Sequence, residues 1–177
     1  MHSVRGETFG LERDTLIGGL HQPNTPNASW ITFFRDQRLL YMAHEAAKSG
    51  RLPEALFRRV EVFSDHLDRW LHEPPYPSLI HGDMWTTNIL AQNGRITGFI
   101  DPAIYYADPE IELAFSTLFN TFDRAFFQRY HQLRPIESGF FEERRDIYNL
   151  YPLLVHVRLF GGMYAAAVGQ ILQKFGY

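Results

Sequence analysis

The dipeptide Asn93–Gly94 constrains the fold of this chain more than any other short segment. It separates two apolar runs, "NILA" (88–91) and "ITGFID" (96–101). Asn-Gly between such runs is the strongest short-range signal for a two-residue β-hairpin, because both residues readily adopt the positive φ of a tight turn. The run "SLIH" (78–81) adds one more short strand just upstream. A small β unit is therefore predicted in the middle of the chain.

The sequence on both sides of this unit has helical spacing. Ser29 is a candidate N-cap for a helix that ends at Gly50, and a second apolar stripe runs from Leu56 to Leu71. Two further helical patterns cover Glu110–Phe119 and Asp123–Leu133. Helices are therefore predicted to make up most of the regular structure.

The two ends of the chain give different predictions. Residues 1–28 are rich in Gly, Pro, Asn and Thr and are predicted to be irregular. From about Phe140 the pattern is helical, with interruptions near Pro152 and at Gly161–Gly162. No repeat or linker divides the 177 residues, which suffice for one domain with a sizeable core. The predicted fold class is mainly α with a small β-hairpin.

Charge and composition exclude several classes of partner. The net charge of −3, without a basic run, argues against nucleic-acid binding, because binding to phosphates needs a basic face. The absence of cysteine excludes disulfides and thiolate metal sites and fits a cytoplasmic protein. The N-terminus lacks the apolar segment of a signal peptide, and no apolar stretch is long enough to span a bilayer. A cytoplasmic protein that binds neither nucleic acid nor membrane is expected.

Three polar residues follow the short apolar runs at a characteristic spacing. "HGDMWTTN" places Asp83 five residues before Asn88, and Asp101 ends the second hairpin strand. Kinases use this pattern, because a carboxylate must accept the proton of the acceptor hydroxyl while two oxygen donors hold Mg²⁺ against the phosphates. The spacing therefore indicates metal-assisted phosphoryl transfer from a nucleotide.

Other interpretations of these residues are weaker. Taken singly, Asp83 and Asn88 could cap turns, and Asp101 could begin one. His81 is better explained as a buried residue that braces the loop than as a proton carrier, since Asp83 already fills the role of base. A metallohydrolase that uses His81, Asp83 and Asp101 is disfavoured, because the eight histidines are scattered along the chain.

Three segments together resemble the fructosamine kinase (ketosamine-3-kinase) family. They are Phe9–Leu39, Leu79–Ala114 with the string "DPAIYYADPEIELA", and Ile147–Tyr164 with "LLVHVRLFGGMY". The family is related to aminoglycoside phosphotransferases within the protein-kinase-like fold. The tyrosine-rich string is much more specific than the "HGD" that the related families share. The resemblance implies an α+β kinase-like fold and an enzyme that phosphorylates a sugar hydroxyl of a small or protein-bound ketosamine.

The resemblance also implies roles for individual residues. Asp83 would be the catalytic base, Asn88 and Asp101 would be the Mg²⁺ ligands, and ATP would be the phosphate donor. Asp108 would support the site, whereas Glu110 and Glu112 are explained by the positive end of a helix dipole. The candidate substrate-binding residues are Trp85, Tyr105 and Tyr106, which could wall a sugar-amine, and His21, Gln22 and Asn24.

The chain departs from the family pattern at several positions. Met84 replaces the usual Leu, Thr86–Thr87 replaces smaller residues, and Ala107–Asp108–Pro109 lacks an arginine that is common there. The last change leaves the acceptor specificity open. Gly18–Gly19 is not expected to cradle phosphate, because no strand is predicted before it.

A complete kinase of this type also needs a β-rich lobe with a Gly-rich loop and a strand lysine. The residues before Phe9 are too few to form one, so residues 1–177 are expected to be the C-terminal lobe without the N-terminal nucleotide-binding lobe. A fragment, a misplaced start codon and a natural truncation all remain open. So do two other functions, a truncated lobe that binds ligand without turnover and an aminoglycoside-type phosphotransferase.

Overall fold

The computed structural model describes residues 1–177 as seven α-helices and three small sheets. The helices are α1 (Trp30–Phe34), α2 (Tyr41–Lys48), α3 (Glu54–Ser64), α4 (Glu110–Leu118), α5 (Arg124–Leu133), α6 (Arg145–Phe160) and α7 (Met163–Lys174). The segments Arg35–Leu40 and Phe140–Arg144 are π-helical turns that join α1 to α2 and lead into α6. None of the helices is long and apolar enough to span a lipid bilayer.

Each sheet consists of two antiparallel strands. The strands are β1 (Thr15–Ile17), β2 (Leu20–Gln22), β3 (Ser78–Ile80), β4 (Ile89–Gln92), β5 (Arg95–Phe99) and β6 (Tyr105–Ala107). β4 pairs with β5 across Asn93–Gly94, whose φ angles of 53° and 71° are those of the predicted tight turn. The predicted hairpin is thus confirmed.

Two of the three sheets lie outside the predicted hairpin. β1 pairs with β2 around Gly18–Gly19, so the prediction of irregular backbone for residues 1–28 is wrong over this stretch. β3 pairs with β6, which the sequence did not identify as a strand. The reason given against a phosphate cradle at Gly18–Gly19 was also wrong, because a strand does precede them. Gly18–Gly19 join two strands and do not begin a helix. The turn therefore has no helix N-terminus at which phosphate could bind.

Helix α6 runs through the centre of the core. Residues Ile147–Val155 are all buried, and α6 packs against α2, α4 and α7. The helix continues through Pro152, so the predicted interruption there is wrong. An interior proline costs about 3 kcal/mol relative to alanine, and the burial of this whole stretch offsets that cost. The predicted break at Gly161–Gly162 is confirmed.

Side chains cap the N-termini of two helices, and the cap predicted at Ser29 is confirmed. The Ser29 hydroxyl accepts a hydrogen bond from the Thr32 N–H at 3.2 Å, and Asp123 caps α5 through the Phe126 N–H at 3.1 Å. The second predicted helix is shorter than its apolar stripe. α3 ends at Ser64, and a 3₁₀ turn at Leu67–Arg69 continues the stripe.

Candidate active site

His81 forms hydrogen bonds with the chain segments that precede and follow the β4–β5 hairpin. Its Nδ1 accepts a hydrogen bond from the Asp83 N–H at 3.3 Å, which leaves Nε2 as the donor to the Ile100 carbonyl at 2.9 Å. The Ile100 N–H in turn donates to the Asn88 carbonyl at 3.0 Å. The backbone on either side of Asp83, Asn88 and Asp101 is thereby fixed by one buried histidine.

Gly82 lets this loop approach a neighbouring chain segment closely. Its φ is +82°, and a Cβ there would overlap the Ala103 carbonyl oxygen. The Gly82 N–H donates to the Glu112 carboxylate at 2.8 Å, and the other Glu112 oxygen lies 2.7 Å from His2 Nε2. Glu112 therefore anchors the loop that ends in Asp83 to the first turn of α4.

Asn88 and Asp83 form a hydrogen-bonded pair. The Asn88 amide nitrogen donates to the Asp83 carboxylate at 2.8 Å and to the Asp83 carbonyl at 2.9 Å. Both Asn88 amide protons are thus used, and its side-chain oxygen has no hydrogen-bond partner in the protein. That oxygen is free to bind a cation.

Burial raises the pKa of the Asp83 carboxyl above its ordinary value. The hydrogen bond from Asn88 and the nearby rings of His81 and His156 oppose the rise. A raised pKa makes the carboxylate a stronger base while the Asn88 amide keeps it oriented. This is the combination that a general base needs.

Asp101 lies directly after Ile100, with an exposed side chain that makes no hydrogen bond or ion pair. Its φ of +50° is a left-handed conformation that Asp tolerates better than most residues. Asn88 and Asp101 thus offer the hard oxygen donors that Mg²⁺ prefers. No group of three or more His, Asp or Glu side chains is close enough to hold a metal ion, so these two donors would need water or phosphate to complete a Mg²⁺ site.

A cavity of about 390 Å³ lies beside Asp83. Asp83, Glu112 and His156 are its acidic and basic side chains, whereas Trp85, Tyr105 and apolar side chains from α4 and α6 form most of its walls. Trp85 is half-buried and packs on Phe119 at 5.3 Å between ring centroids. A small polar molecule with an apolar substituent fits such a cavity.

The two adjacent tyrosines occupy different environments because side chains alternate along a strand. Tyr105 is fully buried, lines the cavity and carries the Arg38 guanidinium 3.8 Å above its ring. Tyr106 points to the other face, where its ring covers Gly6. The structure therefore brings Tyr105, and not Tyr106, to the cavity.

The three polar residues near β2 do not line the cavity. Gln22 lies behind it and accepts a hydrogen bond from the Tyr151 hydroxyl at 2.7 Å. Asn24 is buried and accepts from the Arg38 guanidinium at 2.6 Å. His21 is exposed, between Asp14 and Tyr41. Gln22 and Asn24 thus support the cavity from behind.

Asp108 lies in the core, away from this cavity. It accepts hydrogen bonds from the Glu110 N–H at 2.9 Å and the Tyr148 hydroxyl at 2.8 Å, and it borders a second cavity of about 440 Å³. Burial and the neighbouring Glu110 carboxylate raise the pKa of Asp108 well above its ordinary value. Glu110 itself forms a buried ion pair with Arg144 at 2.6 Å.

The sequence did not assign the acidic residue Glu112 or the basic residue His156 to the cavity. Glu112 was explained by the helix dipole, yet it is buried and holds the Gly82 N–H. His156 was not singled out, although its ring lines the cavity with Nδ1 bonded to the Pro152 carbonyl at 2.7 Å. A signal existed for both, since a lone polar residue inside an otherwise apolar helical stripe needs a partner when it is buried.

The sequence of nearly the whole chain is similar to that of known proteins. The sequence profile of a family described as "Fructosamine kinase" matches residues 1–176. A "probable ketoamine kinase" from Synechocystis sp. is 37% identical over 176 residues, which cover 98% of this chain and 58% of that protein. The chain thus spans less than two thirds of the length of this relative.

Solved structures give the same picture. A crystal structure named as a "putative fructosamine-3-kinase" from Thermobifida fusca superposes with a TM-score of 0.89 at 34% identity, covering 97% of this chain and 59% of that one. An aminoglycoside phosphotransferase superposes with a TM-score of 0.58 at 19% identity, covering 84% of this chain and 54% of that one. The second likeness shows the fold alone, a kinase-like mixture of helices and small sheets.

Proposed function

The chain belongs to the fructosamine kinase family, and on that premise we propose that it forms the catalytic part of an ATP- and Mg²⁺-dependent ketosamine kinase. The observation that carries this proposal is the Asp83–Asn88 pair beside a cavity large enough for a sugar-amine. Residues 1–177 then correspond to the C-terminal lobe, and the relatives' additional length to the nucleotide-binding lobe. The lack of cysteine suits a reducing compartment such as the cytoplasm.

Asp83 acts as the general base of this reaction. Its carboxylate accepts the proton of one sugar hydroxyl while the hydroxyl oxygen forms its bond to the γ-phosphorus of ATP and the bond to the leaving ADP oxygen breaks. Two features support this role, the pKa of Asp83, which burial raises, and the Asn88 amide, which fixes the carboxylate.

Asn88 and Asp101 are the residues that would hold Mg²⁺. Their free side-chain oxygens suit a hard cation. When bound, the metal ion neutralises the phosphate oxygens and helps to orient the transferred phosphoryl group. The hydrogen bond from the His81 ring to the Ile100 carbonyl holds the Asn88 and Asp101 segments close together for this purpose.

The substrate in this proposal lies with its sugar next to Asp83 and its amine substituent in the cavity. Trp85 and Tyr105 supply the aromatic walls. Phosphorylation of the sugar destabilises the sugar–amine adduct and frees the amine, which corresponds to a protein-repair (deglycation) role.

A second function, ligand binding without turnover, is favoured by one observation. The cavity walls include the β1–β2 turn, Asp83 and Trp85, and residues of α4 and α6, so a bound ketosamine would contact this lobe directly. The resemblance to aminoglycoside phosphotransferases concerns only the fold at 19% identity, which makes an aminoglycoside acceptor the weaker choice.

A substrate panel distinguishes these functions. The complete gene product that contains this chain is incubated with Mg-ATP and a glycated lysine peptide, an unglycated copy of that peptide, or an aminoglycoside, and products are analysed by mass spectrometry. A phosphate on the glycated peptide alone supports a ketosamine kinase. Phosphate on the aminoglycoside, or on none of the three, contradicts the proposal.

A further inference from the structure

The charge inside the cavity is one-sided. Its lining includes the carboxylates of Asp83 and Glu112 but contains no lysine or arginine. Arg38 lies behind the Tyr105 ring, with its guanidinium bonded to Pro23 and Asn24. His156 is the only basic side chain of the lining, and Glu112 is already bonded to His2 and the Gly82 N–H, so the lining favours a cation chiefly through Asp83.

The nearby Arg51 does not change this balance. Its guanidinium donates to the carbonyls of Arg158 and Leu159, and its stem packs near Gly161. It thus holds the end of α6 in place and is absent from the cavity lining.

Apolar side chains dominate the rest of the cavity and its rim. Ten of the 16 lining residues are hydrophobic, and Phe160, which lines the cavity at the end of α6, is 67% exposed. Leu159 lies against Gly18 of the β1–β2 turn, so the turn and the end of α6 meet at the cavity. A substituent that extends from the bound sugar therefore meets apolar surface.

We propose that this cavity selects ketosamines whose amine carries an apolar substituent without a carboxylate group. The proposal rests on the proposed function and names the substrate class of the same site. The protonated secondary amine of a ketosamine is attracted by the two carboxylates, and its apolar substituent replaces water along the walls. A carboxylate next to the amine would lose its hydration beside two negative groups, and no lysine or arginine of the lining would pair with it. Lysine within a polypeptide meets these requirements, whereas an α-glycated free amino acid does not.

Three fructose adducts separate the two parts of the proposal. The phenethylamine adduct is apolar and carboxylate-free, the phenylalanine adduct adds only the carboxylate, and the ethylamine adduct removes the ring. Each is titrated into the complete gene product without nucleotide, and binding is measured by calorimetry. We expect the phenethylamine adduct to bind about tenfold or more tightly than either of the others, since a ring and an unpaired charge each alter affinity by at least that factor.

A variant that adds a positive charge at the edge of the cavity provides a second test. Phe160→Arg places a cation at the edge of the cavity, so the phenylalanine adduct should gain at least about fivefold in affinity relative to the phenethylamine adduct. Leu133→Arg is the matched control, because Leu133 is 70% exposed on α5 and does not line the cavity. The control should leave the ratio of the two affinities unchanged.

The outcomes separate this inference from the proposed function. Equal or tighter binding of the phenylalanine adduct, an unchanged ratio in Phe160→Arg, or no binding of any adduct would overturn the inference. The predicted order of affinities without phosphate transfer from Mg-ATP would overturn the kinase proposal and leave the selectivity intact. Equal phosphate transfer to the phenethylamine and phenylalanine adducts would overturn the selectivity and leave the kinase proposal intact.

Discussion

At the scale of single residues, Asp83 combines burial with a fixed orientation. Burial raises the pKa of its carboxyl, and the Asn88 amide holds the carboxylate in place at 2.8 Å. A buried carboxylate costs stability when it is ionised, so the protein retains Asp83 at the expense of its own folding free energy. That cost can be measured.

Asp83→Asn should be at least as stable as the parent at neutral pH. Because the folded-state pKa of Asp83 is raised, the folded chain binds the proton more tightly than the unfolded chain, and the free energy of unfolding falls as pH rises through that pKa. The advantage of Asp83→Asn should therefore shrink as the pH falls below the raised pKa. Thermal unfolding between about pH 4 and about pH 8 tests this. Asp68→Asn, at an exposed carboxylate, is the control, and a variant less stable than the parent at neutral pH would contradict the interpretation.

Glu112 provides a second test at this scale. Glu112→Ala removes the acceptor of the Gly82 N–H and the partner of His2, so we expect a loss of about 1–3 kcal/mol in the free energy of unfolding. Glu112→Gln keeps an acceptor for Gly82 and should lose less. Chemical denaturation measures both variants. Equal stability of Glu112→Ala and the parent would show that the Glu112 hydrogen bonds contribute nothing to the free energy of unfolding.

At the scale of elements, the joint between α6 and α7 depends on glycine. Gly162 adopts φ 56° and ψ −119°, a region that is essentially restricted to glycine, although nothing lies near its missing Cβ. Gly162, which directly precedes α7, is therefore required for its backbone conformation and not for space.

Gly162→Ala should lower the free energy of unfolding by about 1–3 kcal/mol, because alanine is strained in this conformation. Gly169→Ala is the matched control within α7, where an added Cβ would meet Arg59 and Leu56 at 3.8 Å. It should raise stability by about 0.5–1 kcal/mol through helix propensity. If both variants changed stability in the same direction, the conformational explanation would be wrong.

Local signals predicted some elements well and others poorly. Asn93–Gly94 and the caps Ser29 and Asp123 act through adjacent residues, so the hairpin and two helix starts were visible in the sequence. β3 and β6 pair over a long sequence separation, and no local pattern specifies that pairing. The helix interruption predicted at Pro152 was wrong because tertiary burial outweighed the helix-breaking tendency of proline.

The same division applies to the candidate site. The spacing of Asp83 and Asn88 along the chain predicted that the two side chains lie together, and they form a hydrogen bond at 2.8 Å. The roles of Gln22 and Asn24 depend on Tyr151 and Arg38, which come from distant elements, and no local pattern indicates these contacts.

At the scale of the whole molecule, the chain forms the site around one helical core. It spans 58% of the length of its Synechocystis relative, and the β4–β5 hairpin exposes Leu90, Ile96 and Phe99. We propose that the nucleotide-binding lobe covers this hairpin in the complete enzyme. The cavity beside Asp83 is lined by the β1–β2 turn and by residues of α4 and α6.

Ketosamine binding should therefore stabilise this chain. A ligand at about 100 times its Kd adds about 2.7 kcal/mol to the free energy of unfolding, which raises the Tm of a domain of this size by roughly 5–10 °C. The fructose adduct of phenethylamine is the ligand, and free fructose, which lacks the amine, is the control. Equal Tm shifts with the two compounds would show that the cavity does not recognise the amine part.

The central claim, that Asp83 is the base of a ketosamine kinase, is tested most directly by phosphate transfer from Mg-ATP to a glycated lysine peptide. The complete gene product and its Asp83→Asn variant are compared by mass spectrometry, with circular dichroism to confirm that both are folded. We predict one phosphate on the sugar with the parent and a rate lower by about 10²–10⁴ with the variant. Transfer at the parent rate by Asp83→Asn, or no transfer by the parent, would contradict the claim.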